Sequence, residues 1–233
     1  EGEEALELFK RVQWHSGTIW PLWALGLALL SEGDPAGVDR TLGPLADQLT
    51  AMGAGDPVMA NFLPDEVEAL IALGQLDRAE GYLEPFARSA ARLDRAWAIA
   101  AAARCRGALE GARRQADAAF AAFERALVAH ERVDMPFERA RTLLLAGQAY
   151  RRFKQRRRAR DLLEEALSAF EQVGAPMWAA KARAELARVG RPGSDRDELT
   201  ETERHLGELA ASGLSNREVA ERAFVSVKTV ESN

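Results

Sequence analysis

The chain has 233 residues, 47% of them hydrophobic but only 7% aromatic, enough apolar content for one elongated domain and a small second one. Alanine and leucine carry that content, a composition that favours packed helices over sheets. A formal net charge of −5 argues against a generally basic nucleic-acid binder and does not exclude a small module whose charge is a local matter. The single cysteine, Cys105, excludes an internal disulfide, reads as a small buried hydrophobe and fits the reducing cytoplasm.

The acidic start, residues 1–7, is the opposite of a signal peptide's basic one. It lacks an initial methionine, and the chain is expected to be a piece of something longer. Residues 1–13 read as helical. Residues 18–31 form an apolar helix whose WPLWALGLALL run is too short to span a bilayer, so no membrane is expected. Glu32, Gly33, Asp34 and Pro35 end it. Residues 36–52 form the next helix, with Leu42, Leu45, Leu49 and Met52 at helical spacing.

From about residue 57 the chain repeats. A shift of about forty residues aligns Ala79 with Ala119 and Ala159, Glu84 with Glu124 and Glu164, and Ala100 with Ala140 and Ala180. Leu83, Phe123 and Leu163 agree in character, and Pro136 and Pro176 match as helix starters. Two helices per unit at this period predict an all-α, tetratricopeptide-like α-solenoid over residues 1–189, with Ala79, Ala119 and Ala159 in equivalent close-packed places. The basic run at residues 151–160 falls on the turn inside the third unit and reads as a solvated face. Trp14, Trp20, Trp23, Trp97 and Trp178 could together line a ligand groove, but singly each reads as a core or inter-helix filler.

Residues 190–198 hold Gly190, Pro192 and Gly193 among polar residues and read as a linker. Residues 199–233 then carry helix starts in quick succession. Thr200 with Glu203, and Ser215 with Glu218, fit capping boxes, and Ser226 offers a third N-cap. Leu214 with Val219, and Val225 with Val230, fit hydrophobic staples, and Gly213 fits a helix stop. A turn of a few residues around Ala223 and Val225 between two short helices predicts a helix-turn-helix.

Leu199-Thr200, Glu203, Leu209, Ala211-x-Gly213-x-Ser215-Asn216-x-Glu218-Val219-Ala220 and Ser226-x-Lys228-Thr229-Val230 resemble the DNA-binding module of LuxR-type transcription regulators over about thirty-five residues. Ala223 stands where that family usually has leucine, and Asn233 where it usually has histidine. The family continues the third helix and adds a fourth, so the resemblance implies a module cut inside its recognition helix. It also implies contacts to duplex DNA from Glu231 and Ser232 in the groove, from Lys228 and Thr229 to phosphates, and from Asn216, Arg217 and Ser226 to the backbone. With the repeats, the whole resembles the C-terminal part of the large ATP-binding LuxR-type regulators. That resemblance implies ATP only for an N-terminal part this chain lacks, and no cofactor here.

The sequence holds no GxxxxGK[ST] loop, HExxH, zinc-spaced cysteine–histidine cluster or Gly-x-Ser-x-Gly elbow, and no enzyme is expected. His15, His130 and His205 are scattered and read as surface or packing residues, and the many glutamates as solvating charges. The expected function is transcription regulation by signal-sensing or partner-binding repeats joined to a DNA reader, with a homodimer implied. Two other readings stay open: a protein–protein scaffold, and a receptor holding a small-molecule inducer on the repeats' concave face.

Overall fold

The computed structural model describes residues 16–52, 56–190, 206, 209–211, 214–223 and 225–227. Among these residues the chain is all-helical, without a strand. It divides into two compact units, Glu1–Val189 and Gly190–Asn233.

The first unit is a succession of helix pairs. The inner members are α1 (Ser16–Glu32), α3 (Leu63–Ala72), α5 (Ala96–Ala112), α7 (Pro136–Arg152) and α9 (Pro176–Val189). The outer members are α2 (Pro35–Ala51), α4 (Leu76–Arg92), α6 (Ala116–His130) and α8 (Arg156–Gln172). Each helix packs on the next in sequence, and each inner helix also touches the following inner helix. The last inner helix, α9, meets the first, α1, so the inner helices close on themselves. Two apolar clusters hold the unit, one from Ile19 to Leu109 and one from Phe123 to Val189, and Leu27 and Leu30 of α1 pack against the second.

Local chemistry sets the turns. Between inner and outer members the chain passes through the left-handed region at Gly33, Gly74, Arg114 and Lys154. Glycine enters that region without steric cost; Arg114 and Lys154 carry a Cβ into it. Asp34 then caps α2, its carboxylate accepting from Gly37 N–H at 2.8 Å, with Pro35 in the first turn.

The close approach of three of the pairs comes from glycine on the inner member. A Cβ at Gly26, Gly107 or Gly147 would stand 2.6, 2.9 and 2.6 Å from the side chains of Leu42, Phe123 and Leu163, which follow at one constant spacing. Val67 holds that place in α3. Ala79, Ala119 and Ala159 each occupy the fourth position of their outer helix and are each fully buried. Their amides donate to the carbonyls of Gln75, Gln115 and Gln155 at 3.0, 2.9 and 3.0 Å. Ala100 and Ala140 are likewise buried, whereas Ala180 at the same place in α9 is exposed. No outer helix following α9 lies among the described residues.

In the second unit, α10 (Asn216–Arg222) starts at a complete capping box. Glu218 accepts from Ser215 N–H at 2.8 Å and Ser215 Oγ accepts from Glu218 N–H at 3.5 Å. Val219 and Ala220 are buried, as is Leu206. After the helix, Val225 N–H donates to Ala220 O at 3.0 Å, closing the turn. The readings for residues 1–13, for the linker beyond Gly190, for the Thr200–Glu203 box and for Gly213 fall outside the described residues.

Gly147→Ala should destabilise the protein by about 1–2 kcal/mol, because overlap with Leu163 and the Ala159 carbonyl outweighs the gain in helix propensity. Gly81→Ala in α4, with nothing near its Cβ, should stabilise by about 0.5–1 kcal/mol. Urea unfolding midpoints of the two variants check the contrast.

Candidate functional site

Where the inner helices meet, they bury charge. Arg104 of α5 and Arg141 of α7 are almost wholly inaccessible, at 1% and 2% exposure. Each bridges the same two carboxylates. Arg104 Nε donates to Glu68 at 2.8 Å and its Nη1 to Glu138 at 2.6 Å. Arg141 donates through Nη2 to Glu68 at 3.0 Å and through Nη1 to Glu138 at 3.2 Å. Arg141 Nη2 also reaches Asp65 Oδ1 at 2.6 Å, and the second oxygen of Asp65 accepts from the Trp23 indole at 2.8 Å. Planar guanidinium forks suit this bridging, and ionised partners make it strong.

Burial raises the Asp65 carboxyl above its ordinary range, against the pull of Arg141. At Glu138 burial acts the same way, but Arg141 and Arg104 win and hold it at about 2. Arg141 itself is pushed up by Asp65, Glu138 and Glu68 against its own desolvation.

The network forms one wall of a cavity of about 80 Å³. The rest is apolar or aromatic, with Trp23, Pro64, Trp97, Ala101 and Met135, and with Asn61 and His130 as further polar members. His130, at the end of α6, is buried and its ring is pushed down to about 4 by desolvation and by Arg104, so it is neutral at neutral pH. Its Nε2 lies 3.0 Å from Thr142 Oγ1. Its Nδ1 and Asn61 Oδ1 have no protein partner.

The seam between α9 and α1 is also polar. Trp178 donates its indole N–H to Ser31 Oγ at 2.8 Å, and Lys181 donates to the Leu30 carbonyl at 2.6 Å. The Trp178 ring is flanked by the Arg141 guanidinium at 5.1 Å and by Lys181 at 4.8 Å. A second buried carboxyl, Glu66, faces the outer helices. It is fully inaccessible, 3.9 Å from Arg78, and burial together with Asp39 pushes it up to about 8. Protonated at neutral pH, it needs no buried counterion. Cys105 is a buried free thiol, its Sγ 3.5 Å from the Pro64 carbonyl, and burial pushes its pKa up, which leaves it inert.

Two sequence readings are corrected here. Glu66, Glu68 and Glu138 are not solvating charges: they face the interior, where the arginines hold them or protonation neutralises them. Among the tryptophans, Trp20 is 58% exposed rather than a filler, while Trp23 and Trp97 pack against the first apolar cluster and also line the cavity. Of the residues assigned to DNA, Asn216, Arg217 and Ser226 are exposed in the second unit. Lys228, Thr229, Glu231 and Ser232 lie outside the described residues, as do Trp14, His15 and His205.

Among the described residues no group of three or more His, Cys, Asp or Glu is placed to hold a metal, and no helix is long and apolar enough to cross a membrane. No protein-family model, no curated protein and no solved structure matches the chain.

Arg141→Met should cost about 3–5 kcal/mol, since it leaves Asp65 and Glu68 buried with one cation fewer. Denaturant titration reads this directly. Glu66 works in the opposite pH direction from an ordinary ion-paired carboxylate. Its folded pKa lies above its unfolded one, so its stabilising contribution is whole below about pH 4.5 and falls through about pH 8. The slope is at most about 1.4 kcal/mol per pH unit in that window. Glu66→Gln should flatten the stability profile between these pH values, which chemical denaturation at a series of pH values tests.

Proposed function

We propose that this chain belongs to a DNA-binding transcription regulator, with a tetratricopeptide-like α-solenoid as its sensor and a LuxR-type helix-turn-helix as its reader. The observation that carries the reading is the second unit's start: the Ser215–Glu218 capping box, the short helix behind it, buried Val219 and Ala220, and the turn through Val225 to an exposed Ser226. These are the local features a helix-turn-helix needs at the positions where the resemblance puts them. The recurring glycine-to-large-residue contacts and the buried alanines of the outer helices support the repeat half.

In this reading Lys228 and Thr229 contact phosphates, Glu231 and Ser232 face base edges, and Asn216, Arg217 and Ser226 contact the DNA backbone. Phosphate contacts set register and salt dependence; base contacts set sequence preference. A receptor role for the repeats is favoured over a bare scaffold by the cavity, lined by Trp23, Trp97 and the buried network of Arg104 and Arg141.

The test is selection from a random duplex library with the full-length regulator, followed by fluorescence anisotropy at several salt concentrations. A defined sequence should be enriched. Lys228→Ala should weaken binding to all sequences alike and reduce the salt slope by about one. No enriched sequence at any salt concentration overturns the DNA assignment.

A further inference from the structure

One face of α1 is apolar and open. Trp20 and Leu25 are 58% and 50% exposed, and Pro21, Ala24 and Ala28 are exposed beside them. Their spacing, i, i+1, i+4, i+5 and i+8, puts all five on one side of the helix. The other inner helices show no such face. Gly26 stands in α1 where Val67, Gly107 and Gly147 stand in α3, α5 and α7. In that register Pro21 falls on Phe62, Ala102 and Thr142, and Ala28 on Ala69, Leu109 and Ala149, all of them buried. The places of Trp20 and Leu25 hold Ala101 and Arg106 in α5, and Arg141 and Ala146 in α7, none of them exposed.

What covers those places is the preceding outer helix. Thr142 of α7 meets His130 of α6, and Arg106 of α5 reaches Glu80 and Glu84 of α4. Pro21 and Leu25 are the matching places in α1, and no outer helix precedes α1 among the described residues. An apolar helix face of this kind is completed by another apolar helix face.

The sequence before α1 has the pattern of an outer helix. Carried back in the same register, Glu3 falls on Glu84, Glu124 and Glu164. Ala5 falls on Phe86, Ala126 and Ala166, and Phe9 on Ala90, His130 and Phe170, all buried. Leu6 falls on Leu127 and Leu167, which pack partly buried against the second apolar cluster. Lys10 and Arg11 fall on Glu131 and Arg132, both exposed. Length agrees as well: α4 ends at Arg92 shortly before α5 starts at Ala96, and residues 1–13 end as shortly before Ser16. We propose that residues 1–13 are the occupant of this surface, a further outer helix seated on the Trp20–Leu25 face of α1 with Phe9 over Pro21 as His130 lies over Thr142. The proposal rests neither on DNA binding nor on the receptor reading of the cavity.

The test is maleimide labelling of introduced cysteines in the full chain, where the buried thiol of Cys105 stays silent. Leu25→Cys should label at least about tenfold more slowly than Val128→Cys, at an exposed place on α6. Adding Leu6→Asp and Phe9→Asp should abolish that protection. Adding Lys10→Gln and Arg11→Gln, on the opposite face of the same segment, should leave it intact. A thermal melt checks that each variant keeps the repeats folded. Equal labelling of Leu25→Cys and Val128→Cys means an open face and overturns the proposal. Protection that survives Leu6→Asp with Phe9→Asp assigns the cover to another element, and protection that fades on dilution assigns it to a second copy of the chain; either result overturns the proposal too.

Discussion

Two arginines buried among three carboxylates set the terms for the rest of the helical unit. Each ion carried into that interior costs several kcal/mol of desolvation, and only close, multiply bonded partners offset it. Arg104 and Arg141 meet the requirement by forking across the same pair, Glu68 and Glu138, so neither arginine can move without disturbing the other's acceptors. Because these four residues come from α3, α5 and α7, the network fixes the mutual rotation of three inner helices. Apolar packing between alanine-rich helices would tolerate rotation and sliding far more readily, since it is not directional.

The outer helices solve a different problem. Their task is close approach, and it is met by removing side chains: glycine on the inner member, a leucine or phenylalanine opposite, and a fully buried alanine near the outer helix's start. This arrangement has a period, because each pair poses the same geometric question. It was therefore legible in the sequence: the offset that aligns Ala79, Ala119 and Ala159, and Leu83, Phe123 and Leu163, is the offset of the contacts themselves. The turns were legible for the same reason, although Arg114 and Lys154 adopt the left-handed conformation where Gly33 and Gly74 do so without strain.

The cavity was not legible, and the cause is physical. Its charged members do not follow the period. The places equivalent to Arg104 are Pro64 and Leu144, and those equivalent to Asp65 are Cys105 and Leu145. Most of its bonds join residues of different repeats, as from Asp65 to Arg141, and only Glu138 and Arg141 fall within one helical turn. One trace was present. Arg104 sits on a helix stripe with Ala101, Cys105 and Ala108, a charged residue on an apolar face, and such a residue must be paired or snorkel to water. His130 gave no comparable signal, since its place depends on Thr142 and on the end of α6. In the second unit the capping box at Ser215 was legible because it is local, three residues long in reach and set by hydrogen bonds of one turn.

The closure of α9 on α1 shows how the two kinds of constraint meet. Elsewhere neighbouring helices share apolar contact along their length, but this seam relies on a few directed interactions. Lys181 donates to the Leu30 carbonyl, which also accepts from Gly33 N–H at 3.2 Å, and Trp178 holds Ser31. The face of Trp178 lies against the Arg141 guanidinium, whose donors are set by Asp65, Glu68 and Glu138. Asp65 in turn fixes the Trp23 indole of α1. The seam is thus tied on both sides to the same carboxylate, once through Trp23 and once through Arg141 and Trp178. Anything that changes the charge balance at Asp65 acts on both ties together.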